Sequence, residues 1–255
     1  MLIATWNVNS IRARLARAQK WLETHRPDVL CLQELKVQDA DFPRAELESL
    51  GYRAAVFGQK TYNGVAILTR AEPTSVSKGL GDGEQDPQAR LIAVQIAGLE
   101  VINVYVPNGA EVGTDKYEYK LRWLEKLRAH LDRHYRPDAP LIVCGDFNIA
   151  PEDKDAAQPE QWRDSVLCHE LARQGLQNVC AFGLTDLFRK HVMTGGHYSW
   201  WDYRMLGFPK NNGLRIDLVL GTPAAAARCK TAWIDRDERK GQQPSDHAPV
   251  VVELD

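Results

Sequence analysis

Residues 91–109, LIAVQIAGLEVINVYVPNG, contain two apolar runs that are separated only by a short turn at Gly98. Both runs are rich in β-branched residues, and a glycine between two such runs is typical of a β-hairpin. Further runs of this kind occur at residues 2–6, 28–33, 64–69, 140–145, 214–220 and 247–253. The chain is therefore expected to contain many short strands, several of them joined by tight turns.

Three helical stretches lie among these strands. Residues 12–25 and 115–134 place apolar side chains at helical spacing, and a third helix is expected near residues 160–174. A few helices among hairpin-connected strands favour an α/β fold that is not a doubly wound parallel sheet. The predicted architecture is a four-layered α/β sandwich, in which helices flank two packed mixed β-sheets. Because no linker rich in Gly, Ser or Pro divides the sequence, residues 1–255 are expected to form a single domain.

The composition narrows the class of protein. Of the 255 residues, 44% are hydrophobic and 26% are charged, as is usual for a soluble globular protein. The sequence lacks a continuous apolar stretch long enough to span a membrane. The five cysteines are scattered and form no C-x-x-C pair, a pattern that predicts a reduced protein of the cytoplasm. A net charge of -2, taken alone, argues against a nucleic-acid partner.

Polar side chains follow or interrupt many of the predicted strands. They are Asn7 after LIATW, Glu34 after DVLCLQ, Tyr105 and Asn108 around the end of VINVYVP, Asp146 and Asn148 after LIVCG, Asp217 within LRIDLVL, and Asp246 and His247 at the last strand. Functional groups often lie where a rigid scaffold gives way to loops. If these strand ends meet, their carboxylates, amides, phenol and imidazole suit a hard divalent cation and attack on a phosphate.

Each of these residues also has a purely structural interpretation. A single Asp or Asn after a strand is usually a turn or cap residue. Asp217 differs, because a carboxylate inside an apolar strand needs a buried partner. Arg215 shares its strand face, but that side chain is expected to prefer solvent, so His247 is the better candidate. A buried His–Asp pair alone is more often structural than catalytic, whereas several strand ends with compatible chemistry favour an active site.

Eight motifs, in order along the chain, resemble the exonuclease III family, the bacterial branch of the family that includes the major apurinic/apyrimidinic endonucleases. They are WNVNSIRA (6–13), LQELK (32–36), YNGVAI (62–67), NVYVPNG (103–109), GDFNIAP (145–151), WWDYR (200–204), GLRIDLVL (213–220) and SDHAPV (245–250). The resemblance extends from residue 2 to residue 252, and the eight motifs together are far more specific than any one alone. It implies a two-sheet α/β sandwich, which agrees with the strand pattern.

The resemblance also implies an activity. Members of this family are DNA-repair phosphodiesterases that depend on Mg²⁺, for which Mn²⁺ can substitute. They remove nucleotides and blocking groups from 3′ ends and incise DNA 5′ to abasic sites. The implied partner is double-stranded DNA with abasic sites, nicks or blocked 3′ ends, and the protein is expected to be a monomer. The implied metal ligands are Glu34 as the main one, with Asn7, Asp246, Asp146 and Asn148 close to it.

Catalytic roles follow from the same resemblance. Asp146 would activate or orient the attacking water, and Asn148 would hold Asp146 and the phosphate. Asp217 would fix His247, whose imidazole would contact a non-bridging phosphate oxygen. Tyr105 would stabilise the phosphate or the leaving group. Whether one or two metal ions act, and which group is the general base, stays open.

Residues that contact DNA are the least specific part of the resemblance. Trp200 resembles an aromatic residue that walls the pocket for an abasic sugar, and Leu206 and Leu214 would complete that pocket. The other candidates for DNA contact are Tyr62, Asn63, Arg90, Asn108 and the turn at residues 210–212. Residues 155–183, which include Trp162, match many members poorly, and bulky side chains there could obstruct the pocket.

Two alternative functions are possible. The first is a phosphatase of inositol phosphates or a sphingomyelinase-like esterase, which would share the same Asn, Glu, Asp-x-Asn and Asp-His set, although three of the motifs resemble the DNA branch. The second is a DNA-end-binding protein without activity, although every catalytic position holds a competent residue.

The net charge, on closer inspection, does not argue against DNA. Once the four acidic residues of the proposed site are set aside, basic residues slightly outnumber the remaining acidic ones.

Overall fold

The computed structural model describes residues 1–81, 83 and 88–255, and within them twelve strands form two six-stranded sheets. The first sheet contains, in spatial order, β11 (Cys229–Ile234), β12 (Val250–Leu254), β1 (Leu2–Asn7), β2 (Val29–Gln33), β4 (Val65–Thr69) and β3 (Arg53–Phe57). The second sheet contains β5 (Ser75–Lys78), β6 (Leu91–Ile96), β7 (Leu99–Tyr105), β8 (Leu141–Asp146), β10 (Asp217–Gly221) and β9 (Thr185–Asp186). Both sheets mix parallel and antiparallel pairs, as predicted.

In the described part of the chain, five helices lie on the outer faces of the sheets: α1 (Ile11–His25), α2 (Arg44–Glu48), α3 (Asp115–His134), α4 (Pro159–Trp162) and α5 (Glu170–Cys180). The buried side chains of α6 (Leu187–His191) and α7 (Pro223–Arg228) join the layer between the sheets. Among the residues that the structure describes, no helix is both long enough and apolar enough to cross a membrane.

Three buried apolar layers hold the sheets and helices together. The layer between the sheets contains side chains from both, such as Ile67 of β4 and Val101 of β7. Leu127 of α3 lies in the layer on the outer face of the second sheet. Trp21 of α1 lies in the corresponding layer on the first sheet. This order of layers, helix, sheet, sheet and helix, confirms the predicted α/β sandwich.

Each sheet has one parallel strand pair at its centre, β1 with β2 and β7 with β8. A tight turn cannot join parallel neighbours, so α1 and α3 make the two crossovers. The carboxyl ends of each pair lie level, because Asn7 pairs with Gln33 and Tyr105 pairs with Asp146. The antiparallel strand β10 begins at the same level, with Asp217 opposite Asp146. Polar residues from several strand ends are therefore brought to one edge of the sandwich.

The differences from the predicted elements have simple causes. The strands that the sequence pattern did not predict, β3, β5, β9 and β11, are the edge strands of the two sheets. Edge strands are partly exposed, and β5 is exposed along its whole length, so they lack a continuous apolar run. The single helix predicted near residues 160–174 is wrong, because residues 163–169 separate α4 from α5. The Gly98 hairpin is confirmed, since Ile96 pairs with Leu99.

Gly145 offers a test of how closely β7 and β8 approach beside Asp146. Its φ is +145°, and a Cβ atom there would lie 1.9 Å from the carbonyl oxygen of Val104. We expect Gly145→Ala to lower the free energy of unfolding by about 3 kcal/mol or more, because backbone strain and overpacking add. Urea denaturation measures this loss. The control is Gly98→Ala, where φ is +76° and nothing lies within 4 Å of the added atom. That change should cost only about 1–2 kcal/mol, and an equal loss in both variants would contradict the prediction.

Candidate active site

The polar residues at this edge form one connected site that spans both sheets. Asn7 ends β1, Glu34 follows β2, and Asp146 ends β8. The side-chain amide nitrogen of Asn7 donates to Glu34 Oε1 at 2.8 Å and to Asp146 Oδ2 at 2.9 Å. On the outer side, Lys36 Nζ lies 3.0 Å from Glu34 Oε2. Asn7 thus fixes a carboxylate from the first sheet against a carboxylate from the second.

A buried imidazole lies between two carboxylates. His247 Nδ1 is 2.8 Å from Asp217 Oδ2, and His247 Nε2 is 3.8 Å from Asp146 Oδ2. Although burial opposes the charged imidazole, the carboxylate of Asp217 and then that of Asp146 raise the pKa of His247 to about 10. Burial raises the pKa of Asp146 to about 7, and the charge of His247 limits that rise. The imidazole is therefore protonated near neutral pH and has one N–H bond that no carboxylate holds at hydrogen-bond distance.

Asn148 is held against Asp146 by its backbone and its side chain. Its backbone N–H donates to Asp146 Oδ1 at 2.8 Å, and the residue has a left-handed backbone with a φ of 51°. The amide nitrogen of Asn108 donates to Asn148 Oδ1 at 3.0 Å, and Asn148 Nδ2 donates to the carbonyl oxygen of Val106 at 3.0 Å. The loops after β7 and β8 are thereby joined, with the exposed Asn108 side chain at the outer end.

The phenol of Tyr105 lies beside the same carboxylates. Burial, and then the charges of Glu34 and Asp146, raise the pKa of Tyr105 well above its usual range. The guanidinium of Arg90 stacks over the Tyr105 ring, 4.9 Å from its centroid, and Arg90 Nη1 donates to the Tyr105 carbonyl oxygen at 3.0 Å. The phenol therefore stays neutral near pH 7 and is able to donate a hydrogen bond.

Two carboxylates at this edge could together hold a metal ion. Ligand atoms of Glu34 and Asp146 and a ring nitrogen of His247 lie within 4.8 Å of one another, but a protonated imidazole has no lone pair to offer a metal. Two carboxylates fit a hard divalent cation, which prefers oxygen ligands. Asn7 presents its amide N–H₂ group to both carboxylates, so in this arrangement it orients them, and its predicted role as a ligand stays a prediction.

Asp246 lies next to this cluster and is held by two donors. Asn9 Nδ2 donates to Asp246 Oδ1 at 2.9 Å, and Trp200 Nε1 donates to Asp246 Oδ2 at 3.0 Å. Burial opposes ionisation here, but the charge of His247 and the two hydrogen bonds lower the pKa of Asp246. Asp246 is thus a carboxylate that is hydrogen-bonded to the ring of Trp200. Its predicted contact with a metal also stays a prediction.

The predicted pocket residues differ in burial. Trp200 pairs through its backbone with the fully buried Leu214, in the same apolar layer as Trp162. The ring of Trp162 packs edge-on against Trp200, with the centroids 5.8 Å apart. Leu206 instead lies on a surface loop and is 63% exposed, so its place in the pocket stays a prediction. Trp162 therefore borders Trp200 directly.

The candidate DNA contacts lie around one groove next to the site. Its volume is about 610 Å³, and its walls include Tyr62, Asn63, Arg90, Asn108, Gly109 and Lys116. Tyr62 is 67% exposed, whereas Asn63 is buried and its Nδ2 donates to Gln59 Oε1 at 3.0 Å. Arg90 faces both the groove and Tyr105, so it links the groove to the catalytic cluster. The turn at residues 210–212 is not part of the groove walls. It is held instead by Trp201, whose Nε1 donates to Asn211 Oδ1 at 3.2 Å.

The expectation for Arg215 is wrong. Its side chain is fully buried, with Arg215 Nε 2.6 Å from Asp155 Oδ1 and Arg215 Nη1 2.8 Å from Asp186 Oδ2. These carboxylates are distant in sequence, and they let a guanidinium stay charged inside the protein. Asp217 is instead positioned by Ser199, whose Oγ accepts its backbone N–H at 3.0 Å.

Sequence reasoning also missed Lys120, on the buried face of α3. Its Nζ donates to the carbonyl oxygens of Asn108, Asn148 and Val166 at 3.1, 2.7 and 2.6 Å. The signal in the sequence is a lysine on the apolar face of the predicted helix, between Tyr117 and Leu124.

The sequence matches the Endonuclease/Exonuclease/phosphatase family over residues 4–247. The chain is 36% identical to exodeoxyribonuclease III of Haemophilus influenzae over 266 residues, and the alignment covers 100% of both chains. Among solved structures, an AP endonuclease from Archaeoglobus fulgidus is similar with a TM-score of 0.97, at 41% identity, and the match covers 100% of this chain and 99% of that one. A 3′ phosphatase from Neisseria, bound to a product DNA hairpin, is similar with a TM-score of 0.96, at 43% identity and the same two coverages. The chain belongs to the endonuclease/exonuclease/phosphatase family.

Proposed function

We propose that this protein is a Mg²⁺-dependent DNA-repair phosphodiesterase of the exonuclease III type. It acts on duplex DNA as a 3′–5′ exonuclease and a phosphatase that cleans 3′ ends, and it incises 5′ to abasic sites. The observation that carries this proposal is the convergence of Glu34, Asp146 and His247, within 4.8 Å of one another, in a chain of this family. The names of the similar proteins, an exodeoxyribonuclease III, an AP endonuclease and a 3′ phosphatase, support DNA as the substrate.

The carboxylates of Glu34 and Asp146 are the residues that would hold the cation. A bound Mg²⁺ would polarise the phosphate and offset the charge that develops on its oxygens. Asn7 donates to both carboxylates and keeps them at a fixed separation. Lys36 holds the other Glu34 oxygen, so the ligand that comes from the first sheet is oriented from two sides.

Asp146 also accepts the proton of the attacking water. The water oxygen forms a bond to phosphorus while the bond to the leaving oxygen breaks, and the leaving oxygen takes up a proton from solvent water. A buried carboxylate held in a fixed orientation beside the reacting phosphate is suited to act as a general base. The backbone N–H of Asn148 holds the second Asp146 oxygen at 2.8 Å and so fixes its orientation.

His247 and Tyr105 contact the phosphate. The His247 Nε2–H bond is available to a non-bridging oxygen, because the nearest carboxylate oxygen of Asp146 lies 3.8 Å away. Asp217 holds the other ring nitrogen at 2.8 Å and so sets the direction of the ring. The neutral phenol of Tyr105 donates to the phosphate or to the leaving oxygen. Donors fixed in advance toward oxygens that gain charge lower the barrier to hydrolysis.

We further propose the partner and the setting of the protein. Duplex DNA with abasic sites, nicks or blocked 3′ ends would lie along the groove of Tyr62, Arg90 and Asn108, and the abasic sugar would lie against Trp200. We also propose that the protein forms one domain and acts as a monomer. The five cysteines are free thiols, which is compatible with the reducing cytoplasm.

The direct test is a protein titration against three labelled duplexes, which carry an abasic site, a 3′-phosphate or a recessed 3′-hydroxyl. Each is assayed with Mg²⁺ and with a chelator. We expect cleavage of DNA with Mg²⁺ and its loss with the chelator. Cleavage that resists the chelator would contradict the metal mechanism, and faster turnover of a soluble inositol phosphate would contradict DNA as the substrate. Tight DNA binding without any cleavage would indicate an end-binding protein.

A second prediction concerns Asp146. Asp146→Asn keeps the size of the side chain but removes the base, so kcat on abasic DNA should fall by about 10²–10⁴-fold. DNA binding, measured by gel shift, should stay largely intact. Asp41→Asn is the control, because that carboxylate is exposed and its ion-pair partner is Arg12. Near-normal turnover by Asp146→Asn would show that the assignment of the base is wrong.

Trp200 is predicted to matter most for abasic DNA. Trp200→Ala removes the apolar wall, so kcat/KM should fall about tenfold more on the abasic duplex than on the 3′-phosphate duplex, about 1.4 kcal/mol of differential binding. Trp200→Phe is the control, since it keeps an aromatic ring but loses the hydrogen bond to Asp246. That variant should affect both substrates alike. Equal losses on both substrates in Trp200→Ala would exclude the pocket role.

A further inference from the structure

Lys120 is a lysine in an unusual place. It lies in the middle of α3, on the face that packs against the second sheet, and its side chain is 0% exposed. Its neighbours on that face, such as Tyr117, Leu124 and Leu127, belong to the apolar layer. An apolar residue of similar length would fill the same space without the cost of burying a charge. The ammonium group therefore calls for an explanation other than packing.

The ammonium group joins three separate loops. Nζ donates to the carbonyl oxygens of Asn108 at 3.1 Å, Asn148 at 2.7 Å and Val166 at 2.6 Å. Three N–H donors thus meet three acceptors, which satisfies the charged form of a lysine completely. Among the described residues, the hydrogen bonds of Lys120 Nζ all go to backbone oxygens.

Two of these loops carry residues of the proposed mechanism. Asn148 lies in a left-handed conformation, and its side chain accepts a hydrogen bond from Asn108 at 3.0 Å. The Asn148 backbone N–H holds Asp146 at 2.8 Å. Because Lys120 holds the carbonyl oxygen of Asn148, it also restrains the residue whose backbone N–H orients Asp146, the proposed base. The third loop, at Val166, leads from α4 into α5 and belongs to the segment that contains Trp162.

We propose that Lys120 is a positioning residue for phosphodiester hydrolysis, holding Asn148 and Asn108 in the arrangement that aims Asp146 and the phosphate contacts. This inference rests on the proposed function. A misplacement of catalytic groups by about 1 Å can cost on the order of 10²-fold in rate, so a clamp at this position is sufficient to control turnover.

The test compares Lys120→Met with Lys190→Met. Methionine keeps the length and apolar stem of Lys120 but removes the charge and all three donors. Lys190, on α6, also donates to backbone carbonyl oxygens, those of Ala226 and Cys229, away from the proposed site. We expect Lys120→Met to lower kcat on the 3′-phosphate duplex by about 10- to 100-fold while KM changes little. Lys190→Met should change neither parameter.

Two further measurements separate positioning from folding. Hydrogen exchange should rise in Lys120→Met around residues 106–110, 146–150 and 163–169, and elsewhere stay as in the wild type. Lys120→Arg, which keeps the charge and several donors, should restore at least part of kcat. The inference is overturned if Lys120→Met keeps a wild-type kcat, or if it loses activity only in proportion to its unfolded fraction. Should Lys120→Met not fold, the same measurements on Lys120→Gln decide.

The hydrogen-exchange measurement also separates this inference from the proposed function. If the wild-type protein cleaves none of the DNA substrates in Mg²⁺, the proposed function fails, and local loosening in Lys120→Met still reports whether the clamp exists. If the wild type is active but Lys120→Met matches it in exchange and in kcat, the clamp fails and the proposed function stands.

Discussion

Two carboxylates, Asp146 and Asp217, are buried opposite each other on neighbouring strands, and the rest of the site depends on how that charge is balanced. In a medium of low dielectric, two such groups cannot both ionise unless a cation or strong donors lie beside them. His247 meets this need from the other sheet. The loop before β12 must therefore cross to this edge. Ser245 fixes the loop there: Ser245 Oγ donates to the carbonyl oxygen of Asn7 at 2.7 Å and accepts the backbone N–H of His247 at 3.2 Å.

Because the balance of charge crosses from one sheet to the other, the register between the sheets matters as much as the register within them. A polar contact just below the site fixes the register between the two sheets. Gln33 Nε2 of β2 donates to Asn103 Oδ1 of β7 at 2.6 Å, and Asn103 Nδ2 donates to the carbonyl oxygens of Leu32 and Ala66, each at 2.9 Å. A slide of one sheet over the other would leave these buried groups unpaired at a cost of several kcal/mol, whereas apolar contacts alone would tolerate it. The layer between the sheets is thus part of the machinery that aims the carboxylates.

The sequence predicts the central strands and the site residues at their ends for one physical reason. A fully buried strand reads as an apolar run, and a polar residue directly after it stands out, as Asn7, Glu34 and Asp146 do. The edge strands give no such signal, because they are partly exposed. The burial of Arg215 could not be predicted for another reason, because it depends on partners such as Asp155 that lie far away in the chain. The position of Lys120 on the apolar face of a helix was visible in the sequence, but its acceptors, such as the Val166 carbonyl, were not.

Residues 155–183 are fixed to the start of β10, beside the candidate site. Asp155 is fully buried and accepts hydrogen bonds from Arg215 and Arg189, and the carbonyl oxygen of Asp155 accepts the Arg215 N–H at 2.8 Å. Arg215 precedes Asp217 by only two residues, so this buried ion-pair cluster ties the segment to the start of β10. Trp162, in the same segment, packs against Trp200 with the ring centroids 5.8 Å apart. Under the proposed function, the strand ends supply the chemistry, whereas this segment borders the aromatic residue proposed to contact the abasic sugar. We therefore expect changes in the segment to alter the choice of substrate while the arrangement of carboxylates stays intact.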